Sequence, residues 1–434
     1  MKKVRTDSQP REAAAATSPA PFAAFIGVDW ADAKHDVSLR AADADVCERS
    51  VVAHTPEALH AWAQSLRARF GGRPVALAVE QSRGALLNAL QRYEFLTIFP
   101  VPPAKLADYR KALGSGAGAK DDPVDADLLR DFLERHPERL RAWKPGDAQT
   151  RELELLVEAR RGLIDLRTCL SNQLTAQLKQ HFPQALGWLD HGGFTRAGGA
   201  LLRKWSTLDA LQAARPGAIR RLLKAHGARQ ATVETLLAEL PQAQPLTTAA
   251  ASLQAGTLLT RALAAQLRTL ADSIGEYDRR IAAVFEAHPE AHLFDGLPGA
   301  GAALAPRLLA AFGSDRERFA SAVEVQSYSG IAPVTIRSGK RCTVQRRLAC
   351  PHFLRQTFHE FAGWSVRYCR WAGVYYARVR AAGKLHHAAL RALAFKWIRV
   401  LYACWRDRRP YDEARYEERL LQRAPEKWAA LRGV

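Results

Sequence analysis

Along its first third, apolar residues of this chain recur in short runs of strand length, and beyond it they recur at helical spacing over long stretches. That change of period divides the 434 residues into two kinds of structure. Residues 25–28, 37–40 and 46–52 read as three strands in succession, followed by a helix over 56–67. A buried strand at 75–79, a helix at 86–92, a strand at 96–101 and helices near 103–110 and 123–133 complete the pattern. Successive strands followed by strands separated by helices predict an α/β layer with a mixed sheet, ending near Pro145.

Residues 150–179 then place Leu153, Leu156, Leu163, Leu166, Leu170, Leu174 and Leu178 at helical spacing, with Gly162 the only helix breaker. A second long helix is expected over 257–287, with Leu263, Leu267, Leu270 and Ile274 along one face. Two such helices need a partner surface: they could pack on each other as an antiparallel pair, on another protomer, or on both. The intervening 180–254 read as a helical insertion broken at Pro183, Pro216, Pro241 and Pro245. A last section opens at Phe294 with Leu297-Pro298-Gly299-Ala300-Gly301 and an apolar helix over 304–312. A Pro-Gly-x-Gly turn opening a helix resembles half of a helix-hairpin-helix, whose exposed N–H groups can hold a phosphate; it equally fits a plain turn between helices.

Charge narrows the partners. The chain carries 63 Lys and Arg against 44 Asp and Glu, a formal +19. Between Arg337 and Arg409 lie 17 basic residues and only two acids, Glu360 and Asp407. Such a patch is the footprint of a polyanion, because neutralising phosphates releases condensed counterions. Apolar runs are interrupted by Arg or Lys before a bilayer could be spanned, so no membrane span is expected. Residues 1–21 read as a disordered lead without a secretory apolar core. Six scattered cysteines, Cys47, Cys169, Cys342, Cys350, Cys369 and Cys404, give no disulfide framework and suggest a reducing, cytoplasmic setting. No Cys-x-x-Cys pair accompanies Cys342, Cys350 and His352, which speaks against structural zinc.

Asp29 follows one apolar strand and Glu80 another, and carboxylates at the ends of buried strands can converge at one sheet edge. Asp122 and Asp125, spaced i, i+3 at a helix start, can face one way. Together they suit Mg²⁺, a hard ion that takes carboxylate oxygens and clamps phosphate oxygens. Taken singly, each has a plainer reading: a turn residue at Asp29, a solvated strand end at Glu80, an N-cap at Asp122 before Pro123, a dipole-favouring first-turn acid at Asp125.

Ser338-Gly339 follows the apolar run 328–336 and is flanked by Arg337, Lys340 and Arg341. A serine hydroxyl amid cations could be presented to a phosphodiester, although Ser327 and Ser329 are equal candidates on sequence alone. Phe353, Phe358, Phe361, Trp364, Tyr368, Trp371, Tyr375, Trp397 and Trp405 interleave with arginines; helical spacing makes most of them core, while some could stack on bases.

Taken in order, Gly27-Val28-Asp29-Trp30-Ala31, Lys34-His35-Asp36-Val37, Val79-Glu80-Gln81-Ser82-Arg83-Gly84, Lys120-Asp121-Asp122-Pro123-Val124-Asp125-Ala126, Leu297-Pro298-Gly299-Ala300-Gly301 and Tyr328-Ser329-Gly330-Ile331-Ala332-Pro333 resemble one family. It comprises the bacterial insertion-sequence transposases and Piv-type DNA invertases, which join an N-terminal DEDD, RuvC-like domain to a C-terminal serine domain. The resemblance covers about residues 25–412. One stretch departs from it: many relatives carry a Gly-Asn pair after a Ser-Lys downstream of the serine, where this chain has Arg346-Arg347-Leu348-Ala349-Cys350-Pro351-His352.

The resemblance implies an RNase H-like (RuvC-like) α/β domain over 22–146 and a long-helix, coiled-coil dimerisation region with an insertion over 147–290. A mostly α-helical serine transposase domain with a helix-hairpin-helix-like segment follows over 291–412, then a tail over 413–434. It further implies Asp29, Glu80, Asp122 and Asp125 as the DEDD carboxylates holding Mg²⁺ and Ser338 as the nucleophile. Arg337, Lys340, Arg341, Arg346, Arg347, Gly299 and Gly301 are then the expected nucleic-acid contacts. Donor and target DNA, a structured guide RNA (bridge RNA) and a dimer or dimer of dimers are the expected partners. Two rivals stand beside the recombinase: a metal-dependent RuvC-like junction nuclease that uses water instead of serine, and a non-catalytic nucleic-acid binding or packaging protein.

Overall fold

A computed structural model describes residues 22–80, 84–113, 122–189, 195–339 and 341–423, with 425 and 429. The expected lead, residues 81–83, Lys120, Asp121 and Lys340 lie outside the described residues, as do the side chains of Asp122 and Pro123. The chain forms two compact units, Met1–Pro145 and Gly146–Val434.

In the first unit, β1 (Ala24–Trp30), β2 (Lys34–Ala41) and β3 (Glu48–Ala53) form an antiparallel meander. After helix α1 (Pro56–Arg69), strand β4 (Val75–Val79) joins β1 in parallel, and after α2 (Ala85–Leu90) β5 (Leu96–Pro100) joins β4 in parallel. The sheet order is therefore β3-β2-β1-β4-β5, with α3 (Pro103–Ala112) and α4 (Asp122–Arg135) after it. The mixed sheet agrees with the sequence reading. The first two strands run further, however: β1 continues to Trp30 and β2 begins at Lys34, so Asp29 lies within the strand opposite Asp36 and not just past its end.

The two faces of the sheet are built from different side chains, because strand residues alternate. Ile26, Val28, Leu77 and Val79 pack with Leu59, Leu66, Leu86 and Leu87 of α1 and α2. The opposite face carries Ala76 and Ala78, which pack with Leu128, Leu129, Phe132 and Leu133 of α4. Gly27 completes this second face, and an added Cβ there would sit 2.0 Å from the Ala126 carbonyl oxygen and 2.5 Å from the Arg130 nitrogen. Small residues thus let α4 lie directly on the strands. Arg130, buried, fastens it further by donating from Nε to Ser38 Oγ on β2 at 3.1 Å.

The second unit is built on α5 (Ala148–His181), whose N-cap Asp147 accepts from the Thr150 nitrogen at 2.8 Å. Helices α6 (Gln184–Trp188), α7 (Arg196–Lys204), α8 (Leu208–Gln212), α9 (Pro216–Ala225) and α10 (Gln230–Glu239) form the expected helical insertion. The return helix α11 (Ala250–Glu286) begins seven residues before the expected start. It packs along α5 in antiparallel sense: Arg280 pairs with Glu152 near one end, while Gly256 lies against His181 at the other. Each long helix thus supplies a partner surface to the other, as one of the expected arrangements requires.

Helix α12 (Gly301–Phe312) and α13 (Ala322–Tyr328) follow, then a hairpin of β6 (Val334–Ser338) and β7 (Arg341–Gln345). Four helices close the chain: α14 (His352–Tyr368), α15 (Arg370–Ala381), α16 (His386–Arg406) and α17 (Glu413–Arg423). Phe312, Phe358, Phe361, Trp371, Trp397 and Trp405 are fully buried in one core with Leu153, Val157, Ile281 and Phe285 from the long helices. Most of the aromatics are core, as helical spacing predicts, whereas Trp364 and Tyr368 are not. No described helix is long and apolar enough to cross a membrane.

Candidate active site and nucleic-acid interface

Two of the expected carboxylates are brought together by strand register. Val28 of β1 stands beside Val79 of β4, so Asp29 and Glu80, the next residues, occupy adjacent positions. Asp29 follows Gly27 by two residues and therefore shares the face covered by α4. Asp36, directly opposite Asp29 on β2, adds a third acid to the row, one the sequence reading did not single out. Like charges directly opposite one another across strands are unfavourable unless a cation answers them.

Asp125, one residue before the Ala126 that rests on Gly27, is 4% exposed. Its carboxylate accepts from Arg110 of α3. Sequence reasoning missed Arg110, whose one signal was a basic residue near the end of a helix preceding the acidic motif. Among the described residues no three His, Cys, Asp or Glu side chains stand close enough to hold a metal, and the Asp122 carboxylate is not among them. The donors expected at the site are all carboxylate oxygens, the set that hard divalent cations prefer, and Arg110 now answers the charge of one of them.

In the second unit, Ser338 ends β6 at an exposed position opposite Arg341, with exposed Arg337 beside it. Ser329 is fully buried and its Oγ faces the Gln326 carbonyl, so it has no access to a substrate. Of the three serines that sequence alone left equal, Ser338 is exposed, Ser327 half-buried and Ser329 buried. Past the hairpin, burial holds the Arg391 guanidinium of α16 below the ordinary arginine range, and the nearby charges of Arg346 and Arg355 add to the effect. Cations gathered in this way are what a phosphate backbone would neutralise. Arg347 is half-buried, and Gly299 and Gly301 lie at the opening of α12.

Comparison with known proteins bears on both units. A transposase model of the DEDD, IS110 type matches residues 26–183, and a model of the IS116/IS110/IS902 transposase family matches residues 291–377. An uncharacterized 42 kDa protein of insertion element IS900 from Mycobacterium paratuberculosis is 30% identical over 396 residues, covering 90% of this chain and 97% of the relative. The chain belongs to the IS116/IS110/IS902 family of transposases. The mini-circle protein of IS117 from Streptomyces coelicolor, itself named as a transposase, is 27% identical and spans 92% of this chain and 98% of its own. The pilin gene-inverting protein of Moraxella bovis is 29% identical over 163 residues, 35% of this chain and 49% of its own.

As a member of this family the chain is an enzyme of DNA transposition, and its DEDD-type domain points to dependence on a divalent metal. The first match encloses Asp29, Glu80, Asp122 and Asp125, and the second encloses Ser338 and the basic hairpin. The two matches therefore enclose every acid and the serine that the sequence reading singled out for chemistry.

Proposed function

We propose that this transposase cuts and rejoins the DNA of an insertion sequence through Ser338, with Mg²⁺ held by Asp29, Glu80, Asp122 and Asp125 and a structured RNA specifying the DNA partners. The observation that carries the reading is the placement of Ser338 at an exposed hairpin end between Arg337 and Arg341. The Ser338 oxygen attacks phosphorus, an Oγ–P bond forms, and the bond from phosphorus to one deoxyribose oxygen breaks. That oxygen leaves with the serine proton. Attack by an incoming deoxyribose hydroxyl on the phosphoserine reverses the bookkeeping and frees Ser338, so ligation needs no external energy source. Arg337 and Arg341 orient the phosphate and answer its charge. Bound Mg²⁺ would supply charge stabilisation at the non-bridging phosphate oxygens.

The carboxylates and the serine belong to different units, and a dimer or dimer of dimers would let them come from different protomers. Base pairing with a guide RNA would leave the protein to read backbone and shape, in keeping with its basic surplus. The test is covalent trapping: wild-type protein incubated with donor DNA should yield a denaturation-resistant adduct mapped to Ser338, and Ser338→Ala should yield none. Cleavage without an adduct in wild type would instead assign a water-using nuclease. Sequencing of RNA that co-purifies with the protein tests guidance, for which one enriched structured transcript is the expected result.

A further inference from the structure

A second basic site lies within the C-terminal unit, away from the hairpin in sequence. The middle of α5 and the opening of α12 border a cleft of about 600 Å³, which α14 closes with Trp364 and Tyr368. Arg160, Arg161, Arg167 and Arg307 line it with Glu360, while Asp278 pairs with Arg160 and Asp165 with Arg161 from outside the lining. Glu360 is engaged by Arg161 at 3.1 Å and by Arg307 Nη1 at 2.5 Å. The Arg307 side chain is 8% exposed, and its Nη2 has no hydrogen-bond partner among the described residues.

The helix that opens into this cleft is stripped for anion binding. Its N-cap is Ala300, which offers no capping side chain, and its first turn, Gly301-Ala302-Ala303, is exposed and contains no acid. Gly299 holds φ +82°, and a Cβ there would sit 2.9 Å from the Trp364 carbonyl carbon and 3.1 Å from Tyr368 Cδ2. The glycine thus lets the turn lie directly on α14. Trp364 and Tyr368 are 48% and 62% exposed, with ring centroids 6.5 Å apart, and the Arg367 guanidinium lies 5.7 Å from the Trp364 ring. Large exposed rings beside Arg167 and the partnerless Arg307 Nη2 are a stacking platform next to a phosphate seat.

We infer that this cleft holds a single-stranded stretch of nucleic acid, one phosphate at the start of α12 among the arginines and an adjacent unpaired base on Trp364. A duplex keeps its base faces stacked, so only an unpaired strand can use the rings. The inference requires that the chain bind nucleic acid, and it is independent of the serine and the carboxylates.

Anisotropy of a labelled ~10-nucleotide single strand with the full-length protein tests it, with DNA and RNA strands and a matched duplex in parallel. Trp364→Ala should weaken single-strand binding about tenfold, and Trp364→Phe should restore most of it. Ala302→Asp should weaken it comparably while leaving the thermal midpoint unchanged or higher, because an acid at a helix start suits the dipole but repels a phosphate. A merely structural role for this turn would not separate those two readouts. Duplex binding should stay within about twofold of wild type. The larger loss identifies whether the resident strand is DNA or RNA.

Wild-type affinity in both Trp364→Ala and Ala302→Asp overturns the inference, as does an equal loss on duplex. Displacement by an acidic peptide as effective as by the strand overturns it in favour of a protein ligand. Should these variants behave as wild type while the Ser338 adduct forms, the cleft inference fails alone. Should they behave as expected while no adduct forms, the serine reading fails alone.

Discussion

Gly27→Ala is the sharpest test of how the acidic site is assembled. The methyl group would lie 2.0 Å from the Ala126 carbonyl oxygen and 2.5 Å from the Arg130 nitrogen, and both are backbone atoms that no rotamer change can move aside. To restore contact beyond 3.0 Å, α4 must lift from β1 by about 1 Å, carrying Asp125 away from Asp29. Overpacking of this kind costs about 3 kcal/mol, and displacing a catalytic group by 1 Å lowers rate by roughly a hundredfold. The expected result is a thermal midpoint for the N-terminal unit lowered by about 10 °C, with DNA cleavage falling further than the unfolded fraction explains. Gly162→Ala serves as the contrast: it lies within α5 with nothing inside 4 Å of the new Cβ, so it should stabilise by up to about 1 kcal/mol. Calorimetry of the two variants checks both signs. A Gly27→Ala protein that melts and cleaves like wild type would refute the close seating of α4 on the sheet.

Three further outcomes are expected. Arg110→Ala removes the partner of a carboxylate that is 5% exposed, while Arg110 itself is 28% exposed, so the loss should be about 2 kcal/mol. Because Asp125 is then released, Mg²⁺ should raise the midpoint of Arg110→Ala more than that of wild type, and equal shifts would argue against Asp125 as a ligand. Ser365→Ala leaves the buried Trp397 indole N–H without the acceptor it now has at 2.8 Å, costing about 1–3 kcal/mol in chemical denaturation. Burial holds His288 and His359 below the ordinary histidine value of 6.5, so the unfolded chain binds more protons than the folded one in acid. Stability is therefore present above about pH 6.5 and falls as the pH drops through the window below it; a midpoint independent of pH there would contradict the burial of both rings.

The sheet was legible because β4, buried on both faces, reads as an unbroken apolar run, and α5 because leucines recur from Leu153 to Leu178, about seven turns. The extra reach of β1 was not, since Asp29 and Trp30 are poor strand signals and extend only because β2 pairs with them. The hairpin carrying Ser338 leaves no strand signal beyond the apolar run before it, because Thr335, Ile336 and Val344 stand largely exposed there and no buried face marks the strands. Polarity also misled along α14, where Ser365 is buried and Trp364 is half out, the reverse of what side-chain chemistry alone suggests. Arg110 could not be paired with Asp125 from sequence, because a contact across fifteen residues depends on how α3 returns to α4.

The two long helices each serve two separate cores. Near the N-terminus of α5 and the C-terminus of α11, Leu153, Val157, Ile281, Val284 and Phe285 enter the aromatic core, while Leu174, Leu178, Leu263 and Leu267, toward the ends that the insertion joins, enter the core of the insertion. From Val157 to Leu174 is about 25 Å of helix, at 1.5 Å per residue. That span acts as a ruler: adding one residue to α5 alone would swing the insertion by about 100° and push it outward by about 1.5 Å. A length change that keeps both cores in phase must therefore be made in both helices together and in whole turns, which makes the distance between the two bodies a discrete quantity and not a tunable one.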